Sequence, residues 1–163
     1  MDATGLAPAL IEPVPAHQTI GIEVLRAADG VGVVAVTVFP HLANVIGSLH
    51  SSGLITLIDA ASLAAIIAAC PTEHAFDGVV PLGTAASLRF LAPARGRLVA
   101  TCVLDKDAGH QLTAVLHATT PRARFTTAAV TDETNTVVCQ GTFDWSVRRA
   151  VPPNIAPEAH AST

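Results

Sequence analysis

The chain has 163 residues, 50% of them apolar and only 13% charged, so it is no disordered polyelectrolyte and is long enough to bury a core of its own. Nine Lys and Arg against thirteen Asp and Glu give a net charge of −4, the wrong sign for a general nucleic-acid binder. Three cysteines at 70, 102 and 139 form no CxxC pair, which argues against a disulfide framework or zinc knuckle and for a reducing cytosol. The sparse charge also suggests that part of the surface is covered by another subunit.

In chain order, the start lacks a basic residue followed by an apolar block, so no targeting segment is expected. Residues 1–17 are rich in Ala and Pro and read as a flexible tail, as do residues 149–163, which leaves 18–148 as one domain. Strands are expected at 19–27 and 30–38, joined by an Ala28-Asp29-Gly30 hairpin turn. Residues 39–49, broken by Pro40 and Gly47, read as a loop. A helix capped by Ser51 or Ser52 then runs to about Ala69, with Pro71 marking its end. Its apolar run, 54–70, is 17 residues long and contains Asp59, too short and too charged for a membrane span. A loop at 72–83 leads to strands at 84–91 and 98–104, around a Pro93–Gly96 turn. The spacing of Leu112, Val115 and Leu116 suits an extra short helix at 109–119. A last hairpin, 122–131 and 135–147, turns at 132–134.

The long helix is apolar on nearly every side, which predicts enclosure, and a curved antiparallel sheet wrapped around it is the simplest enclosure. The fold class is therefore α+β. Three chemical features meet in this helix and its lead-in loop. Asp59 sits between Ile58 and Ala60, where an unpartnered carboxylate costs several kcal/mol. Helical spacing puts Ser52, Thr56, Asp59 and Ser62 on one narrow polar stripe, as a small wet cavity needs. The backbone N–H groups around Ser51 to Gly53 lack intrahelical partners and can face a developing oxyanion, with Gly53 permitting close approach. Asn44 and His50 in the preceding loop can orient a water or donate to a carbonyl. Each has a plainer reading: a satisfied structural acid, serines that only cap a helix, an exposed loop histidine.

These residues resemble a known family. Asn44-x-x-Gly47-x-x-His50-x-x-Gly53, then Thr56-Leu57-x-Asp59-x-Ala61, is similar to the loop-and-helix motif of hotdog-fold acyl-CoA thioesterases of the phenylacetyl-CoA and hydroxybenzoyl-CoA type. As in that family, the acid follows the histidine by nine residues. Residues 87–104 and 130–143 resemble the family's later strand segments, so the likeness covers 19–147. It implies a hotdog fold and a homodimer, or homotetramer, with sheets joined edge to edge. It further implies an active site at the seam, where Asp59 of one subunit faces the Asn44–His50 loop of the other. Asp59 would activate water or attack the thioester carbonyl. Asn44 would position water or thioester, the Ser51 N–H would polarise the carbonyl oxygen, and His50 would support the loop. Two departures stand out. Ser51-Ser52 replaces the family's Gly-Gly. The strand hydroxyl that assists the water in many relatives falls at Gly83, with Thr84 one residue away.

Recognition of coenzyme A phosphates would fall to Arg89, Arg95 and Arg97, with Arg122 and Arg124 further along. Phe39, Phe76 and Phe90 are candidate pocket walls. No P-loop, dinucleotide fingerprint or HExxH motif is present, and His110 and His117 lack a third ligand, so no metal is expected. No cofactor is expected beyond coenzyme A as part of the substrate. The reading is a cytoplasmic thioesterase that hydrolyses acyl-CoA and binds neither nucleic acid nor membrane. The alternatives are a non-catalytic hotdog module that binds an acyl or aromatic ligand, or a thioesterase for acyl-carrier protein.

Overall fold

The structure is a computed structural model and describes residues 1–105 and 123–149, with the side chains of 123–126 and 148–149 left aside. The extra helix expected at 109–119, His110, His117, Arg122 and the C-terminal tail lie outside the described residues, as does the side chain of Arg124. Helices α1 (Ala7–Ile11) and α2 (Pro15–Ile20) come first, then β1 (Glu23–Ala28), β2 (Val31–Thr37), α3 (Ser51–Ala69), β3 (Val79–Phe90), β4 (Arg97–Leu104), β5 (Ala123–Thr131) and β6 (Val137–Arg149). The strands form one sheet in the order β1-β2-β4-β5-β6-β3, with every pairing antiparallel. This is the α+β layout expected from the enclosed helix.

Every residue of α3 from Ala60 to Ala68 is buried, so the helix has no solvent face over its second half. Its small residues let the sheet close down on it. At Gly32 on β2, a Cβ would lie 2.1 Å from the Ala61 carbonyl oxygen and 2.5 Å from the Ala65 nitrogen. The larger side chains between them, Leu57, Ile58, Ile66 and Ile67, are almost wholly inaccessible, each contributing about 2 kcal/mol by burial. Among the described residues α3 alone is long and apolar enough to cross a membrane, and 72% of that window is buried inside the fold, as befits a core helix.

Three expectations need correction. Residues 1–17 are not a loose tail: Ala3, Ala7 and Ile11 are buried against the core, and His17 is 2% exposed. The signal was present as apolar residues four apart, with Pro15 opening α2 and Gly21, at φ 72°, closing it. The first strand accordingly starts at Glu23 rather than at 19. The third strand begins at Val79, within the stretch expected as loop, and it accommodates Pro81 because β3 is an edge strand. The third correction concerns the helix cap, supplied by His50 rather than by a serine.

The two sheet edges differ. At β1, Ala3 donates its N–H to the Ala27 carbonyl and Thr4 Oγ1 accepts from the Ala27 N–H, so the N-terminal segment covers that edge. At β3 most residues are exposed, including Val80, Leu82 and Phe90.

Candidate active site

Asn44 organises the loop before α3. Its Oδ1 accepts from the N–H groups of Ile46 and Ser48, both at 3.1 Å, while the amide nitrogen takes no part in that turn. Arg95 clamps the same loop by donating to the Ile46 carbonyl at 2.7 Å. His50 follows as N-cap: its Nδ1 accepts from the Ser52 N–H at 3.2 Å and lies 2.8 Å from Ser52 Oγ. An accepting Nδ1 places the ring proton on Nε2. The Leu54 N–H closes the first helical turn on the His50 carbonyl, and the cap uses Ser52. Ser51 and Gly53 then carry the N–H groups outside the ladder. The space beside Gly53 belongs to Leu49, whose Cδ1 would lie 2.7 Å from an added Cβ, so the close approach Gly53 permits is internal. Asn44, Ser48, His50, Ser51 and Phe90 line one cavity of about 470 Å³.

Asp59 opens into a different cavity, of about 590 Å³, whose walls include Leu10, Val14, Leu63, Phe76 and Trp145. Asp59 lies eight positions beyond Ser51 on the helix, about 12 Å along the axis. The polar stripe around Asp59 is internally satisfied. Thr56 Oγ1 donates to the Ser52 carbonyl at 2.9 Å. Ser62 Oγ donates to the Asp59 carbonyl at 2.9 Å and accepts from Trp145 Nε1 at 2.9 Å. Trp145, tilted against Phe143 at 5.3 Å between ring centroids, is thereby held as a rigid wall.

The partner of the Asp59 carboxylate comes from α2. His17 Nε2 lies 3.2 Å from Asp59 Oδ2, and His17 Nδ1 lies 2.8 Å from the Ile11 carbonyl oxygen. That carbonyl can only accept, so Nδ1 carries a proton, and a proton must also lie between Nε2 and Oδ2. Burial pulls the imidazole pKa down, but the Asp59 hydrogen bond, the Ile11 hydrogen bond and the Asp59 charge together raise it above its ordinary 6.5. The sequence reading missed His17 because it lies in the stretch taken for a tail.

Asp59 Oδ1 faces β3 at Gly83, where an added Cβ would stand 3.7 Å from it. Next along is a β-bulge: Gly83 pairs with Trp145 and Ala85 with Asp144, leaving Thr84 as the extra residue. Thr84 Oγ1 donates to the Asp144 carbonyl at 3.2 Å, so the position beside the acid carries no hydroxyl. Of the candidate phosphate-binding arginines, Arg95 is committed to the loop and Arg97 to Glu23. Arg89 is exposed on β3, beside Ser87 and Gln140 in a shallow groove. Phe76 lines the Asp59 cavity and Phe90 the other, whereas Phe39 stacks on His41.

Comparison with known proteins fits this architecture. No curated protein matches the sequence. Among solved structures, a probable thioesterase from Pseudomonas aeruginosa, PA5026, matches with a TM-score of 0.71 at 23% identity, over 90% of this chain and 95% of that one. The PaaI protein of the Escherichia coli phenylacetic acid degradation operon gives 0.66 at 20% identity, over 91% and 94%. Thioesterase HI1161 from Haemophilus influenzae gives 0.67 at 16% identity, over 89% and 90%. This chain shares their hotdog fold. Residues 6–147, most of its length, match the family described as a domain of unknown function, DUF4442, and the chain belongs to that family.

Proposed function

We propose that this protein is a thioesterase that hydrolyses acyl-CoA thioesters carrying an apolar acyl group. The observation that carries the reading is Asp59: a carboxylate on an enclosed helix, tied down through Oδ2 and facing a largely apolar chamber through Oδ1. Its chemistry there is removal of a proton from water as that water attacks the thioester carbon. The carbonyl oxygen takes up negative charge and meets backbone N–H groups such as that of Ser51. Collapse expels the thiolate, which receives the proton from Asp59, so acyl-CoA and water give carboxylic acid and free thiol. Direct attack by Oδ1 would instead form an anhydride that water opens. A single turnover in ¹⁸O water that leaves label in Asp59 identifies the second route with water opening the anhydride at the Asp59 Cγ, since the first route never labels the side chain.

One chain keeps the acid and the N–H donors in separate cavities, so the reading includes a second copy. Pairing the exposed β3 edge with its twin, antiparallel about the strand's middle, would lay the half of the strand that holds Gly83 alongside the half that holds Phe90 in the other copy. Acid and donors would then share one chamber. The exposed apolar side chains of Val80, Leu82 and Phe90 on that edge, and of Val45 and Ile46 on the loop, favour such cover. We read the assembly as a homodimer or a homotetramer built from it. The three buried cysteines, none of them in a disulfide, suit the cytosol.

The test is thiol release from acyl-CoA and acyl-carrier-protein thioesters of varied chain length and aromaticity. Asp59→Asn and Asp59→Ala should lower kcat by about 10³-fold. Equal rates in all three proteins remove Asp59 from the chemistry. The missing hydroxyl at Gly83 and the two serines at the helix start favour one other reading, a ligand-binding module. It predicts thermal stabilisation by acyl ligands with no turnover.

A further inference from the structure

We infer that His17 is the positioning residue of Asp59: from the N-terminal helical pair it fixes one carboxylate oxygen and turns the other toward the cavity. Its kinetic consequence rests on the hydrolase reading above, whereas the position of the proton does not.

The geometry is specific. His17 is 2% exposed and bonded at both ring nitrogens, to the Ile11 carbonyl at 2.8 Å and to Asp59 Oδ2 at 3.2 Å. With both ends held, the ring cannot rotate without breaking a buried hydrogen bond. Among the described residues, the other charged groups near it are turned elsewhere. Glu12, next to Ile11 on the chain, accepts from the Val24 N–H at 2.9 Å. Asp77 lines the same cavity but is 74% exposed and sits 3.2 Å from His74. The facing residues of β3 and β6, Gly83 and Trp145, carry no charge. Asp59 is thus the carboxylate that meets the ring, and the raised His17 pKa agrees. A carboxylate free to swing about its side-chain bond would spend part of its time with neither oxygen aimed at a substrate. Clamping Oδ2 removes that freedom before substrate arrives. The proton on Nε2 stays in place through the cycle, while Oδ1 takes and returns the proton that moves.

The arrangement also explains why Gly83 needs no hydroxyl in this chain. The acid is oriented from the α2 side rather than from β3.

Two measurements test it on the full-length protein. In ¹⁵N NMR titration of the imidazole, wild-type His17 should remain doubly protonated above pH 6.5, and its midpoint should fall in Asp59→Asn. A His17 midpoint unmoved by that substitution overturns the inference even if the protein has no turnover. In kinetics, His17→Gln should lower kcat by about 10²-fold with little change in KM, and the alkaline limb of wild-type kcat should follow the NMR midpoint. Added imidazole should partly restore His17→Ala. A folded His17→Gln with wild-type kcat overturns the inference, while loss of hydrolysis in every protein overturns the hydrolase reading alone.

Discussion

The two polar ends of α3's working stretch are built for opposite tasks. At its start, the Asn44 loop and the His50 cap present donors in an open cavity: the N–H of Ser51 and the amide of Asn44. Two turns on, Asp59 presents an acceptor, half enclosed and steadied by a buried imidazole. A donor site without an acid polarises a carbonyl and goes no further, and an acid without donors leaves an oxyanion unstabilised. On the proposed reading the contrast is between two incomplete half-sites in a single chain, and the exposed β3 edge is where a second chain would complete them.

The sharpest way to break that comparison is complementation. Asp59→Asn and Ser51→Pro should each be nearly inactive alone. Co-expressed at equal ratio, they should regain about a quarter of wild-type activity, because half of the dimers then hold one intact site. If both half-sites act within one chain, the mixture stays as inactive as its parents.

Ser51→Pro by itself sharpens the donor side. Proline is tolerated at the first helical position, and the extended backbone of His50, at φ −60° and ψ 147°, suits a residue before proline. The substitution therefore deletes one N–H without melting α3. Loss of an oxyanion donor predicts about a 10²-fold fall in kcat, read by steady-state kinetics against an unchanged circular dichroism spectrum.

Smaller effects probe the acid side. Ser62→Ala strands the buried Trp145 N–H and should cost about 1–3 kcal/mol in urea unfolding, with an unchanged denaturant slope. For His17, the folded pKa lies above the unfolded 6.5. Its contribution to stability is therefore fully present below pH 6.5 and is lost as pH rises through the folded value. The stability gap between wild type and His17→Gln should narrow over that window, as thermal melts at stepped pH would record.

Much of this was legible in the residues. The bounds of α3 followed from its apolar run and Pro71, and the spacing from His50 to Asp59 marked the candidate site. The strands showed in alternation and turn residues. What escaped notice did so for physical reasons. β3 starts early and carries Pro81 because an edge strand has no neighbour demanding that N–H. The cap fell to His50 because an imidazole nitrogen accepts as well as a serine oxygen does. His17 was hidden because α1 and α2 span only five and six residues, too short to show more than a turn or two of period, and only their contact with the core stabilises them.

The cysteines bear on how catalysis can be watched. Cys70, Cys102 and Cys139 are all buried, and burial pushes the Cys70 thiol up to about 11 and that of Cys139 above its usual range. Reaction with a disulfide reagent needs an accessible thiolate, which these side chains do not offer near neutral pH. In a test of the proposed hydrolysis, a chromogenic disulfide added to the native protein would therefore count any liberated thiol against a flat background, and a burst of colour without substrate would report unfolding.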